Sequence, residues 1–195
     1  MQFFYQNGVR NITENKIINQ LSLSADDFFT NFKDKEDFIK QAVDFELEEK
    51  IRQDAQIQKE AANPVEEIFL LLRHNVMQLT NIHPGYFVQL QYLYPQIWQT
   101  YTRHAQMHGY YQVYDLVSAA IKQNFFHRNI NIEIVTKVLI EQANIMHNTH
   151  LFPGKRYNLG EVFRNIFLYY LKGLCTEKGI CLIDKLFADL NFDAD

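Results

Sequence analysis

Turn-forming residues are scarce in this chain: 7 glycines and 4 prolines among 195 residues. A β-sandwich or barrel with many tight turns uses more of both, so the scarcity favours helices. Cysteine is scarcer still. Cys175 and Cys181 are the only two. They are too few for a disulfide framework or a zinc site and do not sit in Cys-x-x-Cys spacing. Both read as buried thiols of a reducing cytoplasm. Long apolar runs are missing too. The most apolar stretch, residues 162–175, is short and carries Arg164 and Lys172, which argues against a membrane span. Residues 1–10 lack the basic start and apolar run of a signal peptide. A cytoplasmic location without membrane contact is expected. Positive charge is not in excess: 19 Lys and Arg stand against 23 Asp and Glu, a net charge of −4, unlike a strongly basic nucleic-acid binder. No Gly-x-Ser-x-Gly elbow, phosphate loop or dinucleotide fingerprint occurs, so an enzyme is not expected.

What is present is ordinary globular material: 47% hydrophobic, 14% aromatic and 22% charged residues. Helix signals recur along it. Thr13 caps a helix over 14–21, with Glu14 near the positive end of its dipole. Ser24 caps a second over 25–31, with Asp27 where a capping-box acid stands. Asp34 caps a long third helix to about residue 59. Asn63-Pro64 opens the next, with Pro64 at its first position and Val65, Ile68, Phe69, Leu72 and Val76 at helical steps. Further helices are expected over 86–93, 97–126, 132–150 and 157–175, with a last short one ending near Leu190. No segment alternates with period two. The predicted fold class is all-α.

The helices over 132–146 and 162–174 are apolar on more than one face, and such helices must be covered on several sides. A homodimer joined as a four-helix bundle supplies that cover, with Ile134, Val138, Phe163, Phe167, Tyr170 and Leu174 at its interface. Tyrosines and Trp98 crowd the middle of the chain. A small-molecule pocket is therefore expected between the helix around Phe69 and Val76 and the helix around Trp98, Tyr101 and Tyr111, with Arg73, His104 and His108 as polar anchors. The His147-x-x-His150 pair and the shared face of His104 and His108 lack the three or four converging ligands a metal needs, so neither metal nor cofactor is expected.

One run carries a resemblance. Phe4-Tyr5-Gln6-Asn7-Gly8, Thr13, Ile17, Leu21-Ser22-Leu23-Ser24, then Phe28 to Lys33-Asp34-Lys35-Glu36-Asp37-Phe38, resembles the N-terminal domain of the TetR/AcrR family of bacterial transcriptional regulators. The likeness covers about the first quarter of the chain. It implies a three-helix helix-turn-helix DNA-binding domain over 1–46 and a helical effector-binding and dimerisation domain over 47–195. It also implies a double-stranded operator and a small-molecule effector as partners. Carried over residue by residue, Thr13 and Lys35 fall on the phosphate-contacting positions with Lys33 as a helper, and Ser24, Ala25, Asp27, Phe28 and Phe29 fall on the recognition helix. The sequence departs from the family pattern at Ile18 (usually Ala), Ser22 (usually Gly), Ala25 (often basic), Asp27 (usually Thr or Ser) and Phe29 (usually Tyr). Residues 1–46 hold five bases against eight acids, a net charge of −3, and carboxylates there repel phosphates. A TetR-like protein whose head no longer reads DNA, acting as a small-molecule binder or scaffold, is the alternative.

Overall fold

A short helix, α1 (Gln2–Asn7), ends at Gly8, which adopts φ +70°. A Cβ at Gly8 would fall on Oε1 of Gln89. That same oxygen accepts the backbone N–H groups of Val9 and Arg10 at 2.9 and 3.0 Å. Gly8 is thus required by both its dihedral and the close approach. Next comes α2 (Glu14–Leu21), opened by Thr13, whose Oγ1 accepts from Lys16 N–H at 3.3 Å. Ser24 opens α3 (Ala25–Asn31) with a reciprocal capping box. Its Oγ accepts from Asp27 N–H at 3.0 Å, and the Asp27 carboxylate accepts from Ser24 Oγ at 2.6 Å. Between the two helices Ser22 lies in the left-handed region at φ 53°, ψ 37°. That conformation costs an L side chain roughly 1–2 kcal/mol, a cost glycine avoids.

Further along, the computed structural model has α4 (Lys35–Glu60), α5 (Pro64–Thr80), α6 (Tyr86–Leu93), α7 (Pro95–His104), α8 (Tyr110–Lys122), α9 (Ile132–Met146), α10 (Leu159–Phe163), α11 (Tyr169–Leu174) and α12 (Glu177–Ala188). Widened π turns at Ala105–Gly109 and Arg164–Leu168 interrupt two helices that the sequence pattern had drawn as continuous. The structure describes residues 2–80, 82, 83, 85–146, 148, 151–153, 156–188 and 190, with the backbone alone for 2, 3, 79, 80 and 105. Among them no strand occurs, and no helix is long and apolar enough to cross a membrane. The chain is all-α, as its patterning predicts.

The chain divides into two units: residues 1–53 with 81–105, and residues 54–80 with 106–195. The boundary read from sequence, at 46/47, gives no hint that 81–105 joins the N-terminal part. The physical reason lies in packing and in Gln89. Tyr86, Leu90 and Ile97 enter the core made by Phe4, Val9, Ile12, Ile17, Phe28, Ile39, Val43 and Leu47, while Gln89 ties α6 to the turn after α1.

The second unit has the larger core. Phe69 on α5 meets Phe163 and Phe187 with ring centroids 6.2 and 4.9 Å apart, and Phe163 meets Phe167 at 4.9 Å. One junction within this unit is closely built. Phe126 and Cys175 form an isolated antiparallel bridge. Thr176 N–H donates to Phe125 O at 2.9 Å, and its hydroxyl donates to Asn124 O at 2.8 Å. Lys178 donates to Gln123 O at 3.1 Å and stands 3.9 Å over the Phe125 ring. Gly179 completes it: a Cβ there would land on the Phe125 carbonyl and 2.8 Å from Cys175 Sγ.

Candidate functional site

The head of the first unit presents α2 and α3 joined by residues 22–24. Thr13, Ser24, Ala25, Asp27, Phe29 and Lys33 are exposed there. Phe28 is not: it is fully buried, its ring edge-on to Phe29 and tilted against Phe32 and Phe38. It is therefore a core residue of the head and not a base-reading one, a correction to the sequence assignment. Its neighbour Phe29, 54% exposed, is the ring that faces outward. Asp26, which the resemblance did not single out, shares the exposed first turn with Asp27.

Several of these side chains are already engaged. Asp27 is held by its capping box. Thr30 and Asn31 bond back to the carbonyls of Asp26 and Asp27 at 2.7 and 2.8 Å. Lys35 is half-buried, its Nζ donating to Val9 O at 2.8 Å and its N–H to Glu14 Oε1 at 3.1 Å. Burial lowers the Lys35 pKa, while the Glu14 carboxylate pulls the other way. An ammonium spent on an internal carbonyl is a weaker phosphate anchor than a free one. Arg10, Lys16 and Lys33 are exposed cations of this face, although the Lys16 Nζ also donates to a backbone carbonyl, that of Asn11, at 3.0 Å.

The eight residues expected to line a pocket divide between the units. Trp98, Tyr101 and His104 belong to the first, and Phe69, Arg73, Val76, His108 and Tyr111 to the second. Phe69 and Val76 are core residues, and Tyr111 is exposed. Within the second unit His108 Nε2 lies 3.8 Å from an Asp54 oxygen, an ion pair whenever the imidazole is protonated. Asp54 and Glu67 are both buried. Burial raises the Glu67 pKa, and the nearby Asp54 charge adds to it. Arg73 Nε is buried without a partner. In the first unit Trp98 stacks on Tyr101 at 5.7 Å. Sequence reading missed Asp54, Glu67 and, in the first unit, Glu46 and Tyr86. A lone acid on a helix gives no sign of its burial.

The proposed dimer residues also separate. Ile134 is exposed at 59%, and Val138 and Tyr170 are half-buried. Phe163, Phe167 and Leu174 are buried within the single chain, and so are not surface residues available to a partner. Their cover comes from α5 and α12, not from a second copy. His147 and His150 lie outside the described residues. Among the described ones no group of three or more His, Cys, Asp or Glu is placed to hold a metal.

No family model and no curated protein matches the chain in sequence. Solved structures do match it in fold. The ketosteroid transcriptional regulator KstR2 of Mycobacterium tuberculosis is 14% identical with a TM-score of 0.59, covering 90% of both chains. An ArpA-like gamma-butyrolactone receptor is 14% identical with a TM-score of 0.62, over 97% of this chain and 92% of that one. The transcriptional regulator FadR of Bacillus subtilis, solved in complex with stearoyl-CoA, is 13% identical with a TM-score of 0.65, over 96% and 94%. Over 90–97% of its length the chain shares the all-α fold of these regulators and receptor.

Proposed function

We propose that the chain is a TetR-like transcriptional regulator that binds a double-stranded operator as a homodimer and responds to a small-molecule effector. The observation that carries this reading is the head: two capped helices joined by a left-handed residue, with α3 exposed along its outer face. Such a helix fits the major groove, and its partner copy would take a half-site one duplex turn away. Arg10, Lys16, Lys33 and Thr13 would position phosphates, and Ala25, Asp26 and Phe29 would face base edges, where an Asp accepts from a cytosine amine and an apolar side chain packs on a thymine methyl. Ile134, Val138 and Tyr170 are the remaining candidates for the dimer seam. Arg73 and His108 are candidate polar contacts for an effector in the second unit. Nothing in this reading requires catalysis.

A second reading has its own support. The exposed part of α3 carries Asp26 and Asp27 and no base, and Lys35 is turned inward. A head that keeps the fold without reading DNA, in a small-molecule-binding or scaffold protein, would look like this.

Fluorescence anisotropy against duplexes tiled across the region upstream of the coding sequence separates the two. A regulator binds one duplex about 1,000-fold more tightly than random sequence. Its salt dependence is shallow, because log K falls by about 0.9 per neutralised phosphate for each decade of salt and few cations are available. Equal, weak binding to every duplex at low salt supports the second reading.

A further inference from the structure

Within the first unit, three helices bring polar groups together beneath aromatic rings: Glu46 from α4, Tyr86 from α6 and Tyr101 from α7. Oε2 of Glu46 and the hydroxyl of Tyr86 are buried, and neither has a hydrogen-bond partner. Tyr86 as a whole is 1% exposed. Each buried polar atom left unpaired costs about 1–3 kcal/mol, and more when charged, so native structures rarely keep two together. The rings around them are continuous. Tyr5 meets Tyr86 edge-on at 5.1 Å, and Tyr86 meets Phe87 at 5.2 Å. Phe87 in turn meets Trp98 and Tyr101 at 6.3 and 5.7 Å. Tyr5, Phe87, Trp98 and Tyr101 are half-buried, so the edge of the ring layer reaches the surface although the two orphaned oxygens do not.

We propose that this cluster binds a primary ammonium carried on an apolar body, an alkylamine or arylalkylamine, with Glu46 as its counter-ion and the Tyr86 hydroxyl as a second acceptor. The ammonium has three N–H donors, enough for both orphaned oxygens. Its charge neutralises a carboxylate removed from water. Ring faces attract the cation, and ring edges pack its apolar body. Other ligand classes fit less well. An anion meets the Glu46 carboxylate, a neutral alcohol brings one donor and no charge, and a quaternary ammonium brings charge and no donor.

Protonation of the site supports this. Burial pushes the Glu46 carboxyl up to about 7, against neighbouring positive charge that includes Lys50. Among the described residues, the other titratable groups around it are Lys50, which stays charged near pH 7, and the phenols of Tyr86 and Tyr101. Both phenols are pushed upward, by burial first and by Glu46 second, and stay neutral near pH 7. Glu46 is therefore the group whose charge changes there, and a bound ammonium displaces its proton. Binding strengthens as pH rises through 7.

This site lies in the first unit and is separate from the effector contacts proposed above in the second. Its test contains no DNA, so failure to bind an amine and failure to read an operator remain distinct results. Trp98 is the single tryptophan, so its emission reports on this site. Hexylammonium chloride titrated into the full chain at pH 8 produces a saturable change in that emission, with affinity about tenfold above that for hexan-1-ol or tetramethylammonium. The affinity is about tenfold lower at pH 6. Glu46→Gln removes a buried charge and folds, as circular dichroism checks, yet loses about tenfold in affinity and all of the pH dependence. Tyr86→Phe keeps the ring and weakens binding several-fold. No saturable response at millimolar amine would overturn the proposal, as would equal affinity for hexan-1-ol or tetramethylammonium, or a Glu46→Gln variant that binds as before.

Discussion

Where α8 ends beside the start of α12, three successive carbonyls, those of Gln123, Asn124 and Phe125, each meet a donor from Lys178 or Thr176. Where α4, α6 and α7 meet in the first unit, a carboxylate oxygen and a hydroxyl meet none. The satisfied junction is in part open to solvent, at Gln123, Asn124 and Lys178, whereas the two unpaired oxygens are buried, so the unpaired groups lie where water cannot compensate them. At the α8–α12 junction, side chain and backbone leave nothing to improve, and substitutions can only lose. The first unit retains features that stability alone would remove: the unpaired Glu46 carboxylate and the left-handed Ser22. Selection for stability stops at a threshold, and residues that keep a cost beyond it are candidates for function.

The largest expected effect is at the satisfied junction. Gly179→Ala sets a Cβ against the Phe125 carbonyl and Cys175 Sγ, neither of which can swing aside. It should lower unfolding stability by about 3 kcal/mol, read as the urea midpoint by far-ultraviolet circular dichroism. A loss below about 1 kcal/mol would show the junction to be loose and break the contrast. Second is Glu46→Gln in the first unit, with the opposite sign. A carboxyl raised from 4.5 to about 7 in the folded chain favours folding below its unfolded value, and that contribution is lost as pH rises through 7. After allowance for solvent screening, the Gln variant should be more stable by about 1–2 kcal/mol at pH 8 and unchanged at pH 4. A variant less stable at pH 8 would mean the carboxylate is satisfied after all.

A smaller effect is expected on DNA. Asp26→Lys reverses one exposed charge on α3 and leaves the Asp27 capping box intact. Affinity for duplex at low salt should rise about tenfold, with a steeper salt slope. An unchanged affinity would show that this face never approaches phosphate. Smallest is Ser22→Gly, which relieves the left-handed turn at φ 53° and should add about 0.5–1 kcal/mol. A destabilised variant would remove Ser22 from the set of improvable positions.

Local chemistry was legible in the sequence. Thr13, Ser24 with Asp27, and Asn63 before Pro64 act as caps because each needs only neighbours within three residues. The all-α class followed from periodicity in the same way. Long-range facts were not legible. Phe28 and Phe29 are adjacent on a two-turn helix, and only packing against Phe32 and Phe38 decides which one turns inward. Phe163 and Phe167 lie on a helix apolar all round, which a partner copy or the chain's own α12 could equally cover; Phe187 supplies the cover. Gln89 reaches Val9 across 80 residues, so no local pattern assigns α6 to the head. Glu46 reads as one acid in a charged run, and its isolation exists only in three dimensions.

Cys175 and Cys181 lie six positions apart and differ in almost every chemical respect. Cys181 is exposed and Cys175 is buried, with burial pushing the Cys175 thiol up to about 12. Thiolate is the reactive form, so Cys175 is protected from alkylation by both access and ionisation. Cys175 sits on the bridge to Phe126, and reagent reaches it only when that bridge parts. The ratio of the two labelling rates, followed over time by mass, therefore counts the openings of the α8–α12 junction. The protein contains its own stopwatch for the second unit, with Cys181 as the zero mark.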